Sequence, residues 1–391
     1  MQFTHVDDAA TRFEARLSLV AGAVDGLVFL SYLFQIDQST YYAATILFKL
    51  CLLFLRGRQV TEAARTSVPF LYVLLLAEVT SAAINEVEFI STIRIIVFCI
   101  NLFVSLNFVS TNYWRGLFLS TLANAATYLA LVETGNIAVV FGRYLYFSQS
   151  HPNLGAEIFF GGAFAALLVK APRLSLLALP LFFIPAFLMQ GRAAELGILF
   201  IGGMLVSQLL SRVGQFTRLA LVIFVCIGLL LIILNSDVSG WVAKLLLLDD
   251  AYRGEGTGAS GRGQYWANAI ETWLNNPVFG AGSDYYIRLG TTEPHSFFLY
   301  PLAFYGFMGI VALSAFMQRF LAVMLYGHSI YLLPFAPMLA FNDRFVNLNV
   351  YPTILFLYVF YQYSRAKKPE RLLTPVKQLD RLSSPTSTHY L

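Results

Sequence analysis

Ser260-Gly261-Arg262-Gly263-Gln264-Tyr265-Trp266 and, ten residues on, Asn276-Pro277-Val278-Phe279-Gly280-Ala281-Gly282 lie in a polar stretch, residues 236–295, with long apolar sequence on either side. The stretch closes on Pro294-His295, where the next apolar run begins. Helices buried in lipid need no such insert. Long ordered loops at a membrane surface are more often functional than connective. The insert therefore decides both the fold, a membrane bundle with one large loop, and the place to look for chemistry.

Outward from the loop, the 391-residue chain is 58% hydrophobic and only 12% charged, with a mean hydropathy of +0.66. A soluble protein carries roughly twice that charged share. Apolar runs near the roughly 20 residues that cross the hydrocarbon recur, at 17–36, 39–55, 67–85, 88–109, 112–132, 153–170, 174–190, 193–211, 216–235, 296–318, 320–342 and 346–364. The expectation is an all-α, polytopic transmembrane helical bundle of about 12 spans over residues 1–364. Residues 365–391 read as a disordered basic tail held near anionic lipid. Pro301, Pro334, Pro337 and Pro352 interrupt the last three runs. The segment Met1–Arg16 carries acids as well as arginines, so the first span is expected to serve as an uncleaved signal. Cys51, Cys99 and Cys226 fall inside predicted spans and read as small apolar packing residues.

Charge asymmetry sets the predicted orientation. With the N-terminus inside, 17 of the 26 Lys and Arg fall in cytoplasmic segments and seven outside: Arg143, Arg192, Lys244, Arg253, Arg262, Arg288 and Arg344. The positive-inside rule then places both termini in the cytoplasm and the loop 236–295 outside. This bias accounts for the basic pI without a nucleic-acid partner. Six of the seven outer cations are Arg, whose planar fork suits phosphate oxygens. Six such forks on one face favour an anionic ligand there.

Three segments carry candidates. In the first, Arg143 to Glu157, Pro152 disfavours helix at His151, so a span begins at Asn153, a good N-cap. Its bland role is a capped helix entrance. Its functional role is to present His151, Asn153 and backbone donors to a polar ligand. In the second, Gln190-Gly191-Arg192-Ala193-Ala194-Glu195, Arg192 and Glu195 are spaced to pair within one helical turn. Alternatively, Glu195 orients Arg192 towards a phosphate. In the third, glycines 254–263 mimic a dinucleotide fingerprint, but an apolar span precedes them, not a strand of a βαβ unit. They lead instead into a short helix from about Arg262 to Leu274. There Trp266, Ile270 and Trp273 make an apolar face suited to a bilayer surface, and Arg262 occupies the anion-favouring N-terminus. His295 closes the loop; a lone histidine is commonly a packing residue, yet at this boundary its imidazole is also suited to take a proton from a hydroxyl.

These residues resemble the O-antigen ligase and polymerase superfamily of membrane glycosyltransferases. The resemblance rests on Ser260-Gly261-Arg262, Trp266, the 276–282 motif, His295-Ser296-Phe297-Phe298-Leu299 and Gly306-Phe307-Met308-Gly309. Ser296 stands where the family has Asn. His151-Pro152-Asn153 is similar to its Pro-Asn motif, and Gly191-Arg192-Ala193 to its Ser-Arg-Gly/Ala turn. The resemblance implies a bacterial inner-membrane enzyme that moves a glycan from undecaprenyl pyrophosphate to an acceptor sugar hydroxyl at the periplasmic face. Arg192 and Arg262 would neutralise the leaving diphosphate, and His295 would activate the acceptor. Arg143, His151, Asn153, Glu195, Tyr265, Trp266 and Arg288 would bind substrate. The sequence holds no Asp-x-Asp motif, so neither a metal nor another cofactor is expected, and a single displacement would invert the anomeric centre. Expected partners are the lipid-linked glycan, an acceptor glycan or lipid A core, membrane lipids and other polysaccharide-assembly proteins.

Within this reading a polymerase is favoured, because nothing in the loop specifies a lipid A core; a ligase is the alternative. The rival of another class is a secondary transporter. Asp25, Lys49, Glu78, Arg94 and His328 lie within predicted spans, where ionisable residues often mark ion pathways. No internal repeat of the transporter kind is visible, and Glu78 and Arg94 are explicable as interhelical partners.

Overall fold

The computed structural model describes residues 3–27, 30, 36, 38–57, 60–140, 143–145, 152–169, 171–211, 262–291, 294, 296–341, 345 and 350–366. The predicted span 216–235, the loop up to Gly261 and the tail beyond Ala366 lie outside them. The described elements are α1 (Phe3–Gly26), α2 (Gln38–Arg56), α3 (Glu62–Asn85), α4 (Phe89–Leu106), α5 (Thr111–Glu133), α6 (Pro152–Leu168), α7 (Pro172–Leu188), α8 (Arg192–Leu210), α9 (Arg262–Asn275), α10 (Tyr285–Arg288), α11 (Leu299–Val323), α12 (Ala336–Phe341) and α13 (Val350–Ala366). A two-residue antiparallel ribbon, β1 (Val139–Val140) with β2 (Arg143–Tyr144), precedes α6. Five described helices are long and apolar enough to cross a membrane, namely α3, α4, α5, α8 and the run Leu299–Tyr326.

Two departures from the predicted spans have local causes. The run 320–342 is not one helix: a π turn at Met324–His328 and a 3-10 segment at Ser329–Phe335 precede α12. Pro334 and Pro337 each lack an N–H and push against the preceding turn, which breaks the ladder. The first helix starts at Phe3, well before the apolar run at 17–36. Its residues near Gly22 pack against Tyr113 at the start of α5.

Two helices form the centre. Every residue from 155 to 167 in α6 and from 353 to 360 in α13 is buried, as expected of helices apolar on all sides. Around α13, Phe70, Phe98, Phe297, Phe316 and Phe345 surround Phe356, with ring centroids as close as 4.6 Å for Phe316–Phe356. Lipid tails are as apolar as these rings, so fit rather than water exclusion selects this arrangement.

One polar knot crosses the bundle. Lys49 is fully buried, and its ammonium donates to Asp25 Oδ1 at 2.6 Å, Asn101 Oδ1 at 2.6 Å and Ser105 Oγ at 2.8 Å. Tyr113 donates to the other Asp25 oxygen at 2.6 Å. All three ammonium hydrogens have acceptors, which is the condition under which a buried charge is tolerated. The knot ties α1, α2, α4 and α5 together.

Following the helices through their turns, 86–88, 134–140, 143–145 and 189–191 fall at one end of the bundle, and 107–110, 169 and 171 at the other. The segment 276–291 joins the first end, because Asn85 and Glu88 both hydrogen-bond to it. That end holds every described polar candidate outside α9.

Candidate functional site

α11 breaks at Gly306, whose φ of 57° and ψ of −133° are not helical. The break frees backbone groups inside the bundle, where each would cost several kcal/mol if left unpaired (about 1–3 by protein data). The 276–282 motif supplies their partners. Phe307 N–H donates to Pro277 O at 2.8 Å, Ala281 N–H to Ala303 O at 2.9 Å and Gly282 N–H to Phe304 O at 3.2 Å. Ser81 Oγ of α3 adds a bond to Phe304 O at 2.9 Å. A Cβ at Gly306 would sit 2.6 Å from Pro277 O and 2.7 Å from Gly280 N. The two glycine motifs of the sequence are thus the two halves of one backbone interlock. Irregular backbone at membrane depth persists when protein satisfies it in this way.

The same loop is fixed to the α3–α4 hairpin. Asp284 is fully buried; its Oδ2 accepts from Glu88 N–H at 2.9 Å, at the N-terminus of α4. Arg288 pairs with Asp284 at 3.0 Å and donates to the carbonyls of Asn85 and Ala281, both at 3.2 Å. Its guanidinium is therefore placed as a loop staple. Ser283 donates to Glu78 Oε1 at 2.9 Å and Thr92 to the same oxygen at 3.0 Å. In the sequence, Glu78 and Arg94 are explicable as interhelical partners. Arg94 is instead exposed, and Glu78 is met by hydroxyls. The signal for Glu78 was its acid in an apolar run; nothing in the sequence marked Ser283 or Tyr305 as its neighbours.

The second group gathers at the turn 189–191. Arg143 is buried, and its Nε donates to Met189 O at 2.9 Å and its Nη2 to Gln190 O at 3.4 Å. It thereby caps the C-terminal end of α7, where cations are favoured. Gln190 adopts a left-handed φ of 55°. A Cβ at Gly191 would collide with that of Ala156 on α6, so close approach to α6 excludes a side chain where the family has Ser. Arg192 opens α8 and Glu195, buried, follows in its first turn. All three side chains belong to or bond to the stretch 189–195. Arg143, Arg192 and Glu195 are thus brought together. Glu157, also fully buried, sits one residue beyond Ala156 on the α6 side of this turn.

α9 spans Arg262–Asn275, close to the predicted helix, with Arg262 half-buried at its N-terminus. Its packed strip is Ala269 and Thr272, the latter accepting from the Tyr286 hydroxyl at 3.2 Å. Tyr265, Trp266 and Trp273 are half-buried beside that strip, while Ile270 and Leu274 are exposed. The tryptophans therefore flank a protein contact, and only part of the predicted apolar face is open. Asn153 lies in the first turn of α6, and its side chain is outside the described residues, as are His151 and His295 themselves. Ser296, in place of the family's Asn, is buried and its Oγ accepts from Leu299 N–H at 3.3 Å. It caps the start of α11, a role that Asn also fills.

Residues 176–314 match the family model described as O-antigen ligase. No curated protein and no solved structure matches the chain. The matched region takes in the 189–191 turn, Arg192, Glu195, Arg262 and both halves of the interlock, and it supports the O-antigen ligase and polymerase superfamily. Arg143 and the α3–α4 hairpin lie outside it.

Proposed function

We propose, starting from the match of residues 176–314 to the O-antigen ligase family, that this membrane protein is a glycosyltransferase using a lipid-linked glycan. The donor is a glycan on undecaprenyl pyrophosphate, presented at the periplasmic face of the inner membrane. An acceptor sugar hydroxyl attacks the anomeric carbon, the bond from that carbon to the pyrophosphate oxygen breaks, and the diphosphate leaves with both bonding electrons. His295 accepts the hydroxyl proton. Arg192 and Arg262 neutralise the charge that develops on the leaving group, where fixed donors are most effective. Single displacement inverts the anomeric centre.

The observation that carries this reading is the placing of Arg192 and buried Glu195 in the first turn of α8, inside the matched region, directly after the turn that Arg143 holds. A helix N-terminus that also carries arginine suits an anion. Arg143 holds the turn through Nε and Nη2 and so supports the site's frame. The transport alternative draws on the broken helix α11, a feature of transporter cores. The freed groups at that break are occupied by the 276–282 motif and the Lys49 knot is saturated, which favours the enzyme.

A polymerase is the form proposed. Purified protein given lipid-linked donor and, separately, a lipid-linked repeat unit or lipid A core as acceptor tests it. Product on the repeat unit alone supports a polymerase, and product on the core alone makes it a ligase. No transfer to either overturns the enzyme.

A further inference from the structure

The segment 270–289 shows more apolar surface than a loop standing in water keeps without a partner. Ile270 and Leu274 lie one turn apart on α9, and Leu274 is 65% exposed. Val278 comes just after that helix, and Ile287 and Leu289 flank Arg288; all three are more than half exposed. Their neighbours turn inwards. Ala269, Thr272, Asp284 and Tyr286 are buried, and the Tyr286 hydroxyl donates to Thr272 at 3.2 Å. The exposed apolar side chains are therefore the outer surface of a packed unit. The charge among them is drawn back, because Arg288 pairs with Asp284 at 3.0 Å and donates to the carbonyls of Asn85 and Ala281. Gln264, Glu271 and Asn275 are exposed on a different face of α9. That division of one helix between apolar and polar exposure is the pattern of interfacial helices.

What covers this surface follows from its place. Asp284 accepts from Glu88 N–H, and a Cβ at Gly282 would meet the Val87 side chain at 2.6 Å, so the segment lies against the α3–α4 turn. Phe89, the first residue of α4, is 79% exposed. On α11, Phe307 donates its N–H to Pro277 O, next to Val278, and is itself 59% exposed. α3, α4 and the run from Leu299 are among the helices long and apolar enough to cross a membrane. The open apolar side chains of the segment thus adjoin those of the spans, which lipid covers. We propose that 270–289 is seated in the bilayer at the boundary between headgroups and acyl chains. Ile270, Leu274, Val278, Ile287 and Leu289 enter the lipid, while the Gln264, Glu271 and Asn275 face of α9 stays in water. A soluble partner would have to reach past the ends of α3 and α4 to cover the same band. The seat does not depend on the glycosyltransferase reading.

The test uses the full chain in lipid nanodiscs, with Cys51, Cys99 and Cys226 replaced by Ala and one spin label at a time on Leu274→Cys, Val278→Cys or Leu289→Cys, all exposed sites. Collision with oxygen, which concentrates in lipid, is compared with collision with a water-soluble nickel chelate. Leu199→Cys, exposed within α8, sets the lipid end of the scale, and Glu271→Cys sets the water end. The three seat positions are expected to favour oxygen over the chelate, less strongly than Leu199→Cys, while Glu271→Cys favours the chelate. Because the labelled side chains are exposed, the variants should fold; should one elute as aggregate, the other two carry the comparison. Chelate preference at the seat positions, equal to that of Glu271→Cys, would overturn the proposal by placing the segment in water. Exclusion of both reagents would overturn it too, since protein, either a second copy or another part of this chain, would then cover the surface. Oxygen preference at Glu271→Cys would also overturn it, because a helix with both faces in lipid does not lie at the boundary.

Discussion

The Phe307 N–H donates to the Pro277 carbonyl at 2.8 Å, joining the residue just past the break in α11 to the loop that fills it. The bond exists because Gly306, at φ 57°, turns the chain out of the helix and releases that N–H from its own ladder. Neither glycine motif is self-sufficient: the helix break needs the loop's carbonyl, and the loop needs the carbonyls of Ala303 and Phe304.

Gly306→Ala should therefore be severely destabilising. The left-handed backbone is strained for any Cβ, by about 1–3 kcal/mol, and here the Cβ also meets Pro277 O at 2.6 Å. The expected outcome is a sharply lower yield of monodisperse protein in size-exclusion chromatography and a lower thermal midpoint. Gly263→Ala is the control: a Cβ there meets nothing within 4 Å. Equal behaviour of the two variants would show that the interlock does not hold the fold.

The Lys49 knot gives a second prediction. Lys49→Met leaves Asp25 with Tyr113 as its remaining hydrogen-bond donor of the knot. Removing one member of a buried pair costs about 3–5 kcal/mol. Replacing both, as Lys49→Met with Asp25→Leu, should recover much of that loss, because no uncompensated charge is left. Thermal unfolding in detergent measures the comparison. A double variant as unstable as Lys49→Met would mean that the knot acts through its shape, not its charge.

How far the sequence could be read depended on the range of the interaction. Apolar runs gave the helices near 39–55, 67–85, 112–132 and 153–170 to within a few residues, since span length is local. The helix 262–275 was legible too, from its cap region and its Asn-Asn-Pro stop. The fracture of 320–342 was foreshadowed by its prolines, but the π turn before them was not. Side-chain roles were less legible. Arg143 and Arg288 read as anion binders, yet both spend donors on backbone carbonyls of turns that are distant in sequence. Glu78 was noticed as an acid in a span, while its partner Ser283 lies 205 positions away. Such pairings depend on how helices cross, which hydropathy does not encode.

Topology is open to a direct labelling test. The positive-inside count predicts Ser260 outside and Ser383 inside. In chains freed of native cysteines, Ser260→Cys should react with an impermeant thiol reagent in intact cells. Ser383→Cys should react only after the membrane is opened. Reaction of Ser383→Cys alone in intact cells would invert the orientation and move the proposed site to the cytoplasmic face.

The two arginines at the 189–195 turn should respond differently to the same substitution. Arg143 holds two carbonyls of the 189–191 turn through Nε and Nη2, a geometry that one ammonium does not reproduce. Arg143→Lys should lower the thermal midpoint, with hydrogen bonds from a charged group worth about 1.5–3 kcal/mol at stake, while the folded fraction keeps its donor affinity. Arg192 begins α8 and is proposed to grip the pyrophosphate together with Arg262. Arg192→Lys and Arg262→Lys keep the charge and lose the fork, so the fold should survive while glycan transfer falls at least about 10-fold, roughly 1.4 kcal/mol in the transition state. Donor affinity and thermal midpoint measured on each purified variant separate the two roles. A destabilised Arg192→Lys with normal donor affinity would assign Arg192 to the fold, and wild-type transfer in both Arg192→Lys and Arg262→Lys would remove them from the pyrophosphate site.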